Sequence, residues 1–96
     1  MILHTVKTSP FQTSTIADCI KLMTNEDTLL LIEDAVIASQ AKHALTVDLT
    51  RLSEQGRLMV LSEDLNARGL KNKLGKACNY ADFVDLVIQH KSQMAW

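Results

Sequence analysis

The sequence predicts an α/β fold: a small open, mainly parallel sheet of four to five strands flanked by helices. Three observations predict it. Thr28-Leu29-Leu30-Leu31-Ile32 is an uncharged run too short for an ordinary helix, and a continuous run of Leu and Ile suits a strand buried on both faces. Leu58-Met59-Val60-Leu61 has the same character. Short segments with helical spacing of apolar residues lie between such runs, and strands alternating with helices build parallel sheets.

In chain order, Ile2-Leu3-His4-Thr5-Val6 reads as the first strand. Ser9-Pro10-Phe11-Gln12 offers a helix start, with a cap-type Ser, a Pro and a Gln in capping-box spacing, and Thr13, Ser14 and Thr15 compete as caps. Ile16, Cys19, Ile20 and Met23 then form one apolar helix face. Thr24-Asn25-Glu26-Asp27 is a polar turn into the central strand, which ends at the acidic pair Glu33 and Asp34. A short helix is expected over residues 35–41, its first turn favoured by those carboxylates. Residues 42–45 read as a brief extended piece or a loop. A second short helix over 48–54 is stopped by Gly56. After the strand at 58–61, Ser62 is the expected cap of a helix stopped by Gly69. A last strand is expected over 77–80, and a helix from Asp82 with the stripe Phe83, Val84, Val87 and Ile88.

The chain of 96 residues is read as one domain, 1–96, with no internal repeat or linker. It is 47% hydrophobic, yet a small parallel sheet has two faces and two edges to cover with few helices, so burial against a partner is expected. A net charge of −1 supplies no long-range attraction for nucleic acid or an anionic membrane. The start lacks signal-peptide character and no apolar run approaches a membrane span, so a cytoplasmic protein is expected. Cys19 and Cys78 are expected as free thiols.

No phosphate-binding glycine motif, nucleophile elbow or zinc-ligand spacing is present, and no cofactor or metal is expected. Cys19 is the candidate persulfide carrier, since a thiolate with access and a lowered pKa can hold sulfur; on a helix stripe with Ile16, Ile20 and Met23 it also reads as a small buried hydrophobe. Cys78 has only Lys76 as a nearby base. His4, mid-strand, reads as a neutral hydrogen-bonded imidazole, and His90 as a helix-end residue, while His43 falls in an unassigned loop. Glu33 and Asp34 point to opposite faces of a strand and read as helix caps, not as an acid–base pair. The basic stretch Arg68, Lys71, Lys73 and Lys76 reads as a solvated loop. Trp96 is expected to dock on this domain or on a partner, and with Met94 is the expected partner contact.

Four stretches together resemble the TusB/DsrH family over essentially the whole length: residues 2–10 (Ile-Leu-His-Thr-Val-Lys-Thr-Ser-Pro), 29–34 (Leu-Leu-Leu-Ile-Glu-Asp), 62–70 (Ser-Glu-Asp-Leu-Asn-Ala-Arg-Gly-Leu) and 90–96 (His-Lys-Ser-Gln-Met-Ala-Trp). The resemblance implies a DsrE-like fold and a subunit of a heterohexamer, a dimer of heterotrimers, with TusC-like and TusD-like chains. Such a complex relays persulfide sulfur from a TusA-like to a TusE-like protein for 2-thiolation of the wobble uridine of transfer RNA. A related Dsr complex serves dissimilatory sulfur oxidation. Neither role implies direct contact with nucleic acid or a membrane.

In the sulfur-carrying D subunit a Cys ends the strand before a helix closing in Arg-Gly. Matching that helix to Arg68-Gly69 places Leu61 at the Cys position, and Leu cannot hold a persulfide. The resemblance therefore implies a non-catalytic member of the relay. Cys19 falls where DsrH-type members have a cysteine, which leaves a persulfide acceptor on Cys19 as the alternative.

Overall fold

A computed structural model describes residues 1–40 and 42–96. Strands β1 (Ile2–Val6), β2 (Thr28–Leu31), β3 (Leu58–Leu61), β4 (Lys76–Cys78) and β5 (Ser92–Ala95) form one sheet in the order β4-β3-β2-β1-β5. Every pairing is parallel. The expected α/β class is the one observed. β2 is the middle strand, and all four of its residues are buried, as its unbroken apolar run demands.

Helices α1 (Thr15–Leu22), α2 (Thr46–Glu54) and α3 (Ser62–Ala67), with a 3-10 helix at Glu33–Ser39, link β1 through β4. Each step places the next strand on the same side of the last. After β4 the chain reverses direction through α4 (Tyr80–Gln89) to reach β5 at the opposite edge. Right-handed crossovers put helices of the forward steps on one face and the helix of the return step on the other. The buried clusters follow that division. Val6, Leu29, Leu31, Leu58 and Val60 pack with Ile16 and Cys19 of α1, Ala35 and Val36 of the 3-10 helix, Leu49 and Leu52 of α2 and Leu65 of α3. On the other face Leu3, Leu30, Leu61 and Cys78 meet Phe83 and Leu86 of α4 alone.

Several boundaries differ from expectation. Ser9 and Pro10 make a turn, in which the Gln12 and Thr13 amides donate to the Ser9 carbonyl, and α1 starts only at Thr15. The segment expected as a helix over 35–41 is the 3-10 helix; its last position, Ala41, lies outside the described residues. Residues 42–45 hold no strand, and β4 ends at Cys78, because Asn79 and Asp82 close a capping box that starts α4. Ser62 is the first residue of α3, not its cap: Leu61 holds the cap position and the Ser62 hydroxyl donates to Glu63.

Gly69 does stop α3. The Leu70 amide donates to the Leu65 carbonyl and Gly69 has φ +66°, the left-handed termination that glycine adopts without a Cβ penalty. Gly75 is required for a second reason. With φ +81°, it lies so close to β3 that a Cβ would stand 3.0–3.1 Å from Leu58 and Val60 atoms. That close approach seats β4 on the sheet.

α4 departs most from its expected orientation. Phe83 and Leu86 turn to the sheet, whereas Val84, Val87 and Ile88, read with Phe83 as one stripe, are exposed together with Tyr80. These side chains line an entirely apolar groove of about 360 Å³ with Phe83.

Candidate functional site

Ligands of open α/β sheets gather beyond the carboxyl ends of the strands. Here that edge carries Leu61 at the end of β3, 3% exposed, in the cluster beneath α4. Around it the acids are engaged with their own chain. The Asp64 carboxylate accepts from the Glu33 amide at 2.7 Å, and Asp34 pairs with Arg68 at 2.7 Å. Arg68 also donates to the Asp64 carbonyl, and Glu63 accepts from the Tyr80 amide. Glu33 and Asp34 thus do not cap the following helix, whose cap position is Ile32 with no side-chain bond. Asp64, from the neighbouring crossover, is the acceptor for the Glu33 amide, and Glu33 itself has φ +49°. Lys71, Lys73 and Lys76 of the basic stretch are exposed.

Neither thiol is placed for attack in this conformation. Cys19 is 0% exposed, and burial, with the Asp27 charge adding to it, pushes its thiol up to about 12. Cys78 is 3% exposed; burial and then the charges of Asp82 and Glu63 push it up to about 11, opposed by Lys76. Cys78 lies on a cleft of about 230 Å³ shared with Met59, Lys76, Asp82, Asp85 and Leu86. A raised pKa keeps a thiol neutral and unreactive near pH 7. We therefore expect a disulfide reagent to leave both thiols unlabelled in the native protein at neutral pH and to label both in urea. Cys78 should react before Cys19 as the pH is raised. Rapid native labelling of Cys19 would contradict this placement.

The most connected polar group is one the sequence placed in an ordinary turn. Asp27, 1% exposed, accepts four hydrogen bonds: from the Ile2 amide at 2.9 Å, the Thr24 amide at 3.1 Å, the Thr24 hydroxyl at 3.0 Å and His4 Nε2 at 2.9 Å. Burial pushes its carboxyl up, but these hydrogen bonds together outweigh it and hold the group well below the usual carboxylate range. Arg57 secures the turn from outside, donating to the backbone carbonyls of Asp27 and Thr24. Trp96 donates its indole N–H to His4 Nδ1 at 3.1 Å and packs on the larger core cluster, so it docks on its own domain. Met94 is 38% exposed. His90 is buried between the Leu86 carbonyl and the Thr28 hydroxyl, joining α4 to β2. His43 lies between the Ala38 carbonyl and the Leu45 amide. Among the described residues, no group of three His, Cys, Asp or Glu side chains converges to hold a metal ion. No described helix is long and apolar enough to cross a membrane.

The family described as DsrH like protein matches residues 8–93. The chain belongs to this family. Among its relatives is Protein TusB of Yersinia pestis (strain Pestoides F), 38% identical over 98 residues that span 99% of this chain and 100% of the relative. Protein TusB of Yersinia pseudotuberculosis serotype O:1b (strain IP 31758) is similar to the same extent. In this DsrH-like chain the fold brings His4, Asp27 and Trp96 together from positions 92 residues apart at the extremes, and leaves Cys19, Cys78 and Leu61 enclosed. An Asp directly before the central strand and a His inside an apolar strand were the available signals for that cluster, but pairing them requires the β1–β2 register.

Proposed function

We propose that this chain is a non-catalytic subunit of a sulfur-relay complex serving 2-thiolation of the wobble uridine of transfer RNA. In this reading it joins TusC-like and TusD-like chains in a cytoplasmic heterohexamer, a dimer of heterotrimers, which exchanges sulfur with TusA-like and TusE-like proteins. The observation that carries the reading is the full-length likeness to Protein TusB. Two features of the molecule support it. Leu61 occupies the strand end at which a carrier would need a thiol, and the two cysteines the chain does have are buried and neutral. The apolar outer face of α4 is left for a partner subunit to cover.

The test is co-expression with the cognate TusC-like and TusD-like chains. The three are expected to co-elute as one assembly, and a chain that elutes alone as a monomer at micromolar concentration would overturn the reading. Intact-mass analysis of the assembly after incubation with a persulfide donor is expected to add sulfur to a partner chain and none to this one. Added sulfur that disappears in Cys19→Ser would instead assign this chain a carrier role.

A further inference from the structure

Both ring nitrogens of His4 are committed, and by groups of opposite kind. An indole N–H can only donate, so Nδ1, 3.1 Å from Trp96 Nε1, must present its lone pair. Nε2 then carries the proton and donates it to the Asp27 carboxylate at 2.9 Å. The rings are tilted by 38° with centroids 6.1 Å apart, and it is the N–H edge of the indole that faces the imidazole. Around His4 the titratable and charged groups are Asp27 from the turn before β2, Cys19 of α1 within reach of the Asp27 charge, and Arg57 on the outer side of that turn. Trp96 is the contact from the end of β5.

We propose that Trp96 and His4 form a proton-released latch at the end of strand β5: the indole is docked only while His4 is neutral, and a proton on Nδ1 frees the Trp96 side chain. Protonation would set two donors against each other at 3.1 Å with no acceptor between them. The imidazolium would not leave its site, because its hydrogen bond to the Asp27 carboxylate becomes charge-assisted. Trp96 is what can move. It follows an edge strand that pairs with β1 alone and whose four residues are all exposed. His90 makes the contrast: its Nε2 partner is the Thr28 hydroxyl, which can rotate from donor to acceptor, so a proton there displaces nothing. The Trp96 amide still donates to the Thr5 carbonyl at 2.9 Å, so the latch frees the side chain and leaves the pairing of β5 with β1 in place.

Trp96 is the single tryptophan, so its emission and its one indole N–H resonance report the latch directly. As the pH is lowered from roughly 8 to 5, the docked-to-free ratio of the indole is expected to fall about fivefold or more, the worth of one such hydrogen bond. Acrylamide quenching and indole N–H exchange should rise accordingly while far-ultraviolet dichroism stays constant. His4→Gln retains an acceptor for Trp96 and a donor for Asp27 without titrating, and should abolish the transition; His90→Gln and His43→Gln should keep it. An indole resonance in the unaltered protein that does not change across this window overturns the latch, as does a transition that persists in His4→Gln. The titration of the unaltered protein decides the matter even if His4→Gln does not fold.

Discussion

Asp27→Ala is expected to lower the unfolding free energy by about 3–5 kcal/mol, the range for removing one partner from a buried charged network. A loss of that size is a large part of the roughly 5–15 kcal/mol available to a small domain. The mechanism is that four donors converge on one carboxylate, and the buried His4 Nε2–H among them is left without an acceptor once it is gone. Asp27→Asn should recover only part of that loss. An amide placed at Oδ2 would meet the Thr24 amide and His4 Nε2, and one placed at Oδ1 would meet the Ile2 amide. Inverting the His4 tautomer to accept from the new amide would put Nδ1–H against the Trp96 indole, so the repair of one bond breaks another.

The same residue dictates the acid limb of stability. Its folded carboxyl lies below its unfolded value, so the folded state binds this proton less readily than the unfolded chain does. The contribution is fully present above the ordinary aspartate value of about 4 and is lost as pH falls through the depressed one. Urea unfolding followed by dichroism at pH 7 and pH 3 should show a steep decline in the unaltered protein and a shallower one in Asp27→Asn. Equal slopes would mean that other carboxylates carry the acid response.

Which parts of this arrangement were legible in the sequence depends on how much of each element's burial is local. β2 and β3 are enclosed on both faces, and that enclosure writes itself into continuous apolar runs. β5 is not enclosed at all. Ser92, Gln93, Met94 and Ala95 carry no β-branched residue and no alternation, and they become a strand because β1 offers an unpaired edge. The acids at the end of β2 were placed correctly at the rim of the sheet, but their partners, Asp64 and Arg68, lie in another crossover some 30 residues away. Asp27 was hidden for a similar reason. A polar residue in a turn is ordinarily solvated, and only the parallel pairing of β1 with β2 carries His4 and the Ile2 amide onto it. In α4, period and stripe were readable, but the helix is apolar on more than one side and spacing alone does not say which side meets the sheet.

That surplus of apolar surface on α4 leads to the second large effect. Val84 and Ile88 stand one turn apart, 58% and 76% exposed, beside Tyr80 and Val87. Val84→Asp with Ile88→Asp is expected to leave the isolated chain within about 0.5 kcal/mol per substitution of its original stability, as for other exposed positions. In the proposed assembly the same two charges would be buried against a partner subunit without counter-ions. At a minimum of about one tenfold step each, co-elution with the partner chains should weaken by at least about a hundredfold. The paired measurement separates the causes. Loss of co-elution with unchanged urea unfolding assigns the α4 face to the partner, because Phe83 and Leu86 on the inner side still hold the helix to Leu30 and Leu61. Undiminished co-elution would move the contact elsewhere, to the β5 edge where Met94 is 38% exposed and on the same side of the sheet as Trp96. An α4 left uncovered in the assembly would be hard to reconcile with a helix on which Val84, Val87 and Ile88 stand exposed side by side, since contiguous apolar patches are uncommon on chains that work alone.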